Sequence, residues 1–147
     1  MKARREIRID GEVAYVPLTR GFFAVIDAAD VPLVSDRLWA AIERGGKVYA
    51  GRSVWRSGTN KCELMHRVII GAGVGDLVDH RNGDGLLNRR GNLRIASRSQ
   101  NAMNASAHRD NTSGFKGVHW SKQHGKWKAE ICAQGVRKHL GLFDAIE

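Results

Sequence analysis

Asp79 and His80 are adjacent, and on a strand adjacent side chains point to opposite sides, so one can hold a cation while the other faces a substrate. Asn101 falls about one turn into an expected helix, where its amide oxygen can act as a second hard ligand; Asn104, three residues on, competes for that place, and spacing from Asp79 favours Asn101. A carboxylate with a carbonyl oxygen suits Mg²⁺, or Mn²⁺, with phosphate oxygens completing the shell. A neutral imidazole beside such a metal can take a proton from water at neutral pH. The metal would then stabilise charge on the phosphorane and on the leaving oxygen. Together these are the parts of a one-metal phosphodiesterase. Each residue also has a plainer reading. An Asp-His pair is common in proteins without catalysis, Asn92 can cap a turn, and His66 can be structural or contact a phosphate. Arg89, Arg90, Arg94 and Arg98 can form a solvated face, or hold phosphates without reading sequence.

These residues need elements to position them. Met65–Ile70 reads as a short helix ended by Gly71-Ala72-Gly73, and Leu77–Asp79 as a short strand. The run from His80 to Gly85 is rich in turn formers, and Leu93–Ala96 is a second strand. Ser97 and Gln100 have the spacing of a capping box, which predicts a helix over 100–107. The order is strand, long loop, strand, helix. Upstream, Val13–Leu18 and Phe22–Asp27 read as a hairpin across Thr19-Arg20-Gly21. Asp27 is a candidate cap for a short helix within Ala28–Leu38 that starts near Pro32. Leu38–Glu43 and Val48–Trp55 read as strands joined across Gly45-Gly46, whose residues supply the positive φ of a tight turn. The aromatic residues of this segment, Tyr15, Phe22, Phe23, Trp39, Tyr49 and Trp55, are expected in its core. Downstream, Gly117–Trp120, Lys126–Ala133 and Val136–Phe143 read as three strands with a tight turn at Gln134-Gly135. Within them Trp127, Ala129 and Ile131 alternate with Lys126, Lys128 and Glu130.

The stretch VDHRNGDGLLNRRGNLRIASRSQNAMN resembles the HNH motif of phage and intron-encoded endonucleases. The matching positions are Asp79-His80, Asn82-Gly83, Asn88-Arg89, Asn92-Leu93-Arg94, Ser97 and Asn101, with His66-Arg67 matching an upstream His-Arg. The resemblance implies a ββα-metal core in which Asp79 and Asn101 bind the metal, His80 activates water and Asn92 braces the long loop. His66 joins that catalytic group and Arg67 a DNA-contacting one. Hydrolysis to a 5′-phosphate and a 3′-hydroxyl is implied as well. Many members have Asp where this chain has Leu87. The stretch NTSGFKGVHWSKQHGKWKAEICAQGVRKHLGLFDAIE is similar to the three-stranded DNA-binding domain of plant ethylene-response factors. That similarity implies DNA contacts from Lys116, His119, Trp120, Lys122, Lys126 and Lys128. Lys and His in place of Arg make weaker contacts to guanine, so base reading is expected to be loose. An amphipathic helix of that domain would begin at Ala145-Ile146-Glu147, so the sheet is expected to lean on the core or on a partner chain, or the sequence to be a fragment.

Composition agrees with a polyanion as partner. The 147 residues carry a net charge of +9 and a pI near 10.2, and residues 1–65, 66–107 and 108–147 each contribute +3. No apolar run approaches the ~20 residues of a membrane span, and MKARREIRID lacks the apolar stretch of a secretory signal. Cys62 and Cys132 lie in no Cys-x-x-Cys pair and are expected to be free thiols. The reading is an α+β chain with a β-rich unit over 1–62, a ββα-metal nuclease core over 63–107 and a three-stranded sheet over 108–147. Its expected function is a Mg²⁺- or Mn²⁺-dependent DNA endonuclease, phage- or mobile-element-encoded and acting in the cytoplasm of a bacterial host. DNA is the expected partner, membranes are not, and a homodimer is left open. The alternatives are a DNA-binding regulator without catalysis, a structure-specific or RNA-directed nuclease and, more remotely, a protein-interaction module.

Overall fold

Local alternation lays out the first strands. In the computed structural model, which describes residues 5–105, 107–133 and 135–146, β1 (Arg8–Asp10), β2 (Val13–Pro17) and β3 (Phe23–Asp27) form an antiparallel sheet in chain order. Ala14 and Val16 on β2 and Ala24 and Ile26 on β3 are buried, every second residue, as a sheet with one covered face requires. The expected helix after β3 is shorter than the sequence suggests. A 3-10 turn (Ala28–Asp30) leads into α1 (Val31–Val34), with Pro32 in its first turn. Asp27 makes no side-chain cap there, because its carboxylate is used elsewhere.

The second sheet is β4 (Ala40–Arg44), β5 (Lys47–Arg56) and β6 (Thr59–Leu64), again in chain order. Gly45 and Gly46 take φ of 57° and 75°, the left-handed pair that a two-residue hairpin turn demands. β6 was not legible as a strand, since TNKCEL has no apolar alternation; it forms because Ser57 and Gly58, both at positive φ, turn the chain back along the edge of β5. Next come α2 (Met65–Ile70), ended by Gly71 at φ 67°, and the antiparallel pair β7 (Leu77–His80) and β8 (Leu93–Ala96).

One core joins β2, β3, α1, β5, α2 and β8. Ala14, Val16, Ala24, Ile26, Val34, Trp39, Ala50, Met65, Ile69 and Leu93 pack in a single cluster, where burying each large side chain contributes about 1.5–3 kcal/mol. The boundary expected at residue 62 is therefore absent, and the chain divides instead into Met1–Ala96 and Ser97–Glu147. The aromatic expectation is corrected too: Trp39 is buried, whereas Phe23 and Trp55 are exposed.

The second unit begins with α3 (Arg98–Asn104). Its capping box is complete: the Gln100 amide donates to Ser97 Oγ at 3.2 Å, and the Ser97 amide to Gln100 Oε1 at 2.9 Å. The helix ends at Asn104, short of the expected residue 107, because Ala105 takes extended backbone with ψ 147°. β9 (Val118–Ser121), β10 (Lys126–Ala133) and β11 (Val136–Phe143) then form an antiparallel sheet with β10 in the centre. Gln134 of the expected turn lies outside the described residues. No described residue of this unit is buried.

Candidate functional site

The loop between β7 and β8 is built into the first unit. Its backbone bonds along β3, Val25 N to Leu86 O at 2.9 Å and Asn88 N to Val25 O at 2.7 Å, which places Asn88 in the interior with no exposure. Gly85 allows the approach, for a Cβ there would meet the Val48 carbonyl and the Tyr49 ring. Asn92 ties the loop to itself: Nδ2 donates to Leu87 O at 2.8 Å and to Asn82 Oδ1 at 2.9 Å, and Oδ1 accepts from Asn82 N at 3.1 Å.

These contacts assemble a buried polar cluster. His80 on β7 and His66 on α2 meet edge to face with centroids 4.8 Å apart, and Tyr49 of β5 lies 5.9–6.0 Å from both. His80 Nε2 is 2.8 Å from Asn88 Oδ1. Burial pushes the His66 imidazole down to about 3, and the charges of His80, Arg67 and Arg44 act in the same direction. Burial also lowers His80, against the opposing bond to Asn88. Burial thus favours the neutral form of both rings. His66 Nδ1 and Asn88 Nδ2 are buried without a hydrogen-bond partner among the described residues. Sequence reasoning nominated His66 and His80 for the site, but gave Asn88 only as part of the Asn88-Arg89 match and Tyr49 only as an expected core aromatic.

Asp79 is buried beside this cluster, and Arg94 of β8 bonds its Oδ2 through Nη2 at 2.8 Å and Nε at 3.1 Å. Its nominated co-ligand Asn101 lies on α3, in the second unit. No group of three or more His, Cys, Asp or Glu suited to a metal ion occurs among the described residues.

The nominated arginines of the first unit are engaged in holding the fold. Arg67 donates to the carbonyls of Gly73 and Asp76, each at 2.6 Å. Arg89 Nε meets Asp27 Oδ1 at 2.6 Å, and the Arg90 amide meets Asp27 Oδ2 at 2.8 Å. Arg90 also grips the buried Asp30 through Nε and Nη2 at 2.8–3.1 Å. Burial pushes the Asp27 carboxyl up, but the Arg89 bond, the Arg90 amide and both guanidinium charges outweigh it and hold it below the usual carboxylate range. Arg98, on the first turn of α3, is exposed.

In the second unit the strand register sorts side chains by face, because directly paired residues share a face and neighbours along a strand do not. Trp120 pairs with Trp127, and Trp127 with Phe143; the two indoles meet edge to face at 5.2 Å. His119 pairs with Lys128 and Ser121 with Lys126, while Glu130 pairs with His139 and Cys132 with Arg137. One face thus carries Trp120, Trp127, Ile131 and Phe143 together with Lys138, and the other carries His119, Lys126, Lys128, Arg137 and His139 around Glu130, with Leu142 beside Lys128. Trp120 is corrected: it stands on the face opposite His119, Lys126 and Lys128, so one sheet face cannot present all four to DNA. Lys116 is spent on the end of α3, its Nζ donating to the carbonyls of Ala102 and Met103 at 2.7 Å, and Lys122 is exposed in the β9–β10 turn. Arg137 and His139 were missed, because only the hairpin register, with Ala133 opposite Val136, brings them to the face of Lys126 and Lys128. A cleft of about 640 Å³ in this unit is lined by His108, Lys116, His119, Glu130 and Arg137, among others.

Strands predominate over three short helices in the described residues, which makes this an α+β protein. The chain is 34% identical over 73 residues to Protein 3.8 of Escherichia phage T7, a stretch covering 50% of this chain and 60% of that protein. The chain therefore spans about three fifths of that relative's length, and it is similar to a phage protein. No family model matches the chain, and no solved structure matches it. The expected DNA endonuclease is overturned by this finding: the matched protein has no nuclease activity in its name, and no nuclease family model accounts for the chain. The geometry gives a physical reason in the same direction. His80, the nominated base, is buried with Nε2 bonded to Asn88, and the Asp79 carboxylate is held by Arg94. Among the described residues no helix is long and apolar enough to cross a membrane.

Proposed function

We propose that this chain binds duplex DNA through the cationic face of the sheet in its second unit. The observation that carries this reading is the strand register, which gathers His119, Lys126, Lys128, Arg137 and His139 on one face and leaves the aromatic residues on the other. Eight Lys/Arg against four Asp/Glu in residues 97–147 supply a net attraction to phosphate. Lys128 and Lys126 keep internal partners, Glu130 at 2.8 Å and Asp144 at 3.1 Å, so both are held in place at the surface. Arg137 brings the planar fork that lysine lacks. The similarity to the ethylene-response-factor domain supports the same partner. A phage-encoded protein working on DNA in the cytoplasm of the host fits this reading.

The test is fluorescence anisotropy of a labelled duplex across a salt series. Wild-type affinity should fall steeply as salt rises, and the Lys126→Ala/Arg137→Ala double variant should flatten the log–log slope by about 2. Equal slopes for wild type and variant, or no duplex binding at low salt, would sink the proposal.

A further inference from the structure

We propose that the outer half of the β5–β6 hairpin is an arm that lies in the major groove of duplex DNA, with Trp55 against the base edges and Arg56 and Lys61 on the phosphates. This rests on the DNA-binding reading and adds a second, separate contact to it. Beyond Gly51 the hairpin leaves the core: Ser53, Trp55, Arg56 and every residue from Ser57 to Cys62 are exposed. Trp55 is 69% exposed, although an indole of that size is ordinarily covered. It is paired with Asn60 on the face that also carries Ser53 and Cys62.

The charge of the arm selects the partner. Residues 52–63 hold Arg52, Arg56 and Lys61 against a single carboxylate, Glu63. Glu63 is already held by Arg52 and, at 3.3 Å, by Arg56. A second copy of the chain is disfavoured at this edge, because Lys61 and the other polar residues of β6 are the kind that prevent strand-to-strand pairing. Dimensions agree: five paired residues reach about 17 Å, and a two-stranded ribbon fits a groove about 12 Å wide. Trp55 faces the base edges, and Arg56 and Lys61, which the register sets on the opposite face of the ribbon, reach the phosphates that rim the groove with their long side chains.

Cys62 is an exposed thiol on the arm, so the arm carries its own reporter. Alkylation of the full chain by iodoacetamide, mapped by mass spectrometry, should slow several-fold at Cys62 when a duplex of about 30 base pairs is added. Trp55→Ala should weaken duplex binding about tenfold, and Arg56→Ala/Lys61→Ala should lower the salt slope by about 2. Trp55→Phe should recover most of the lost affinity, and circular dichroism should be unchanged in all. If wild type binds duplex while Cys62 reacts at the same rate and the variants bind equally well, the arm is overturned and DNA binding by the second unit stands. If wild type binds no duplex, both fall. Concentration-dependent protection of Cys62 without DNA would show a second copy on the arm and overturn the proposal.

Discussion

At the scale of single residues, the interior of the first unit is organised by two kinds of polar group. The first is neutral: His66, His80 and Asn88, packed against Tyr49. Because His66 is pushed down to about 3, the folded chain binds fewer protons than the unfolded one between that value and the ordinary histidine range. Stability from this ring is fully present above about pH 6.5 and is lost as pH falls toward 3, amounting to a few kcal/mol at most. Urea midpoints measured at pH 7.5 and pH 4.5 should differ, and His66→Phe should reduce that difference; an unchanged slope would remove the buried ring as its source. Asp27 acts at lower pH, since its depressed carboxyl contributes above the unfolded carboxylate range and loses that contribution as pH drops below it. The second kind is the pair of buried or half-buried carboxylates that hold the loop. Arg90→Ala strips Asp30 of its bidentate partner and should cost about 2–3 kcal/mol in chemical denaturation, under the full cost of breaking a buried pair because the guanidinium is half exposed.

At the scale of elements, one glycine and one cap set the layout of the second unit. Gly117, at φ 76°, lies against the Glu130 carbonyl with no room for a Cβ, and that contact sets the entry into β9. Gly117→Ala should therefore loosen the β9–β10 pairing and abolish the edge-to-face contact of Trp120 and Trp127, read as a loss of near-ultraviolet dichroism. An unaltered spectrum would show that the backbone moves without cost. Ser97→Ala removes one half of the capping box and should destabilise α3 by about 1 kcal/mol, visible as faster amide exchange in that helix alone.

At the scale of the whole molecule, burial is unevenly divided. Every buried described residue belongs to Met1–Ala96 and none to Ser97–Glu147. Local opening is governed by buried apolar contact, so amides of β9–β11 should exchange well before those of β2, β3 and β5. Duplex DNA that binds the folded second unit should raise its protection in proportion to ligand concentration. Equal protection of both units without DNA would contradict that division.

Local chemistry alone determined the strands over 126–133 and 136–143, the Gly45-Gly46 turn and the capping box at Ser97, because each depends on residues within a few positions of one another. The same locality misled at β6, whose polar sequence becomes a strand only when β5 offers an edge, and at Trp55, whose type suggests a core it does not reach. Only the tertiary structure decided which charges are available. Arg89 and Asp27 stand 62 residues apart in sequence yet 2.6 Å apart in space, and such pairs convert an apparent phosphate-binding row into the fastening of a loop. It likewise decided that His80 is enclosed and that Trp120 faces away from the lysines, because burial and facing depend on what packs across the chain and not on the residue's own neighbours.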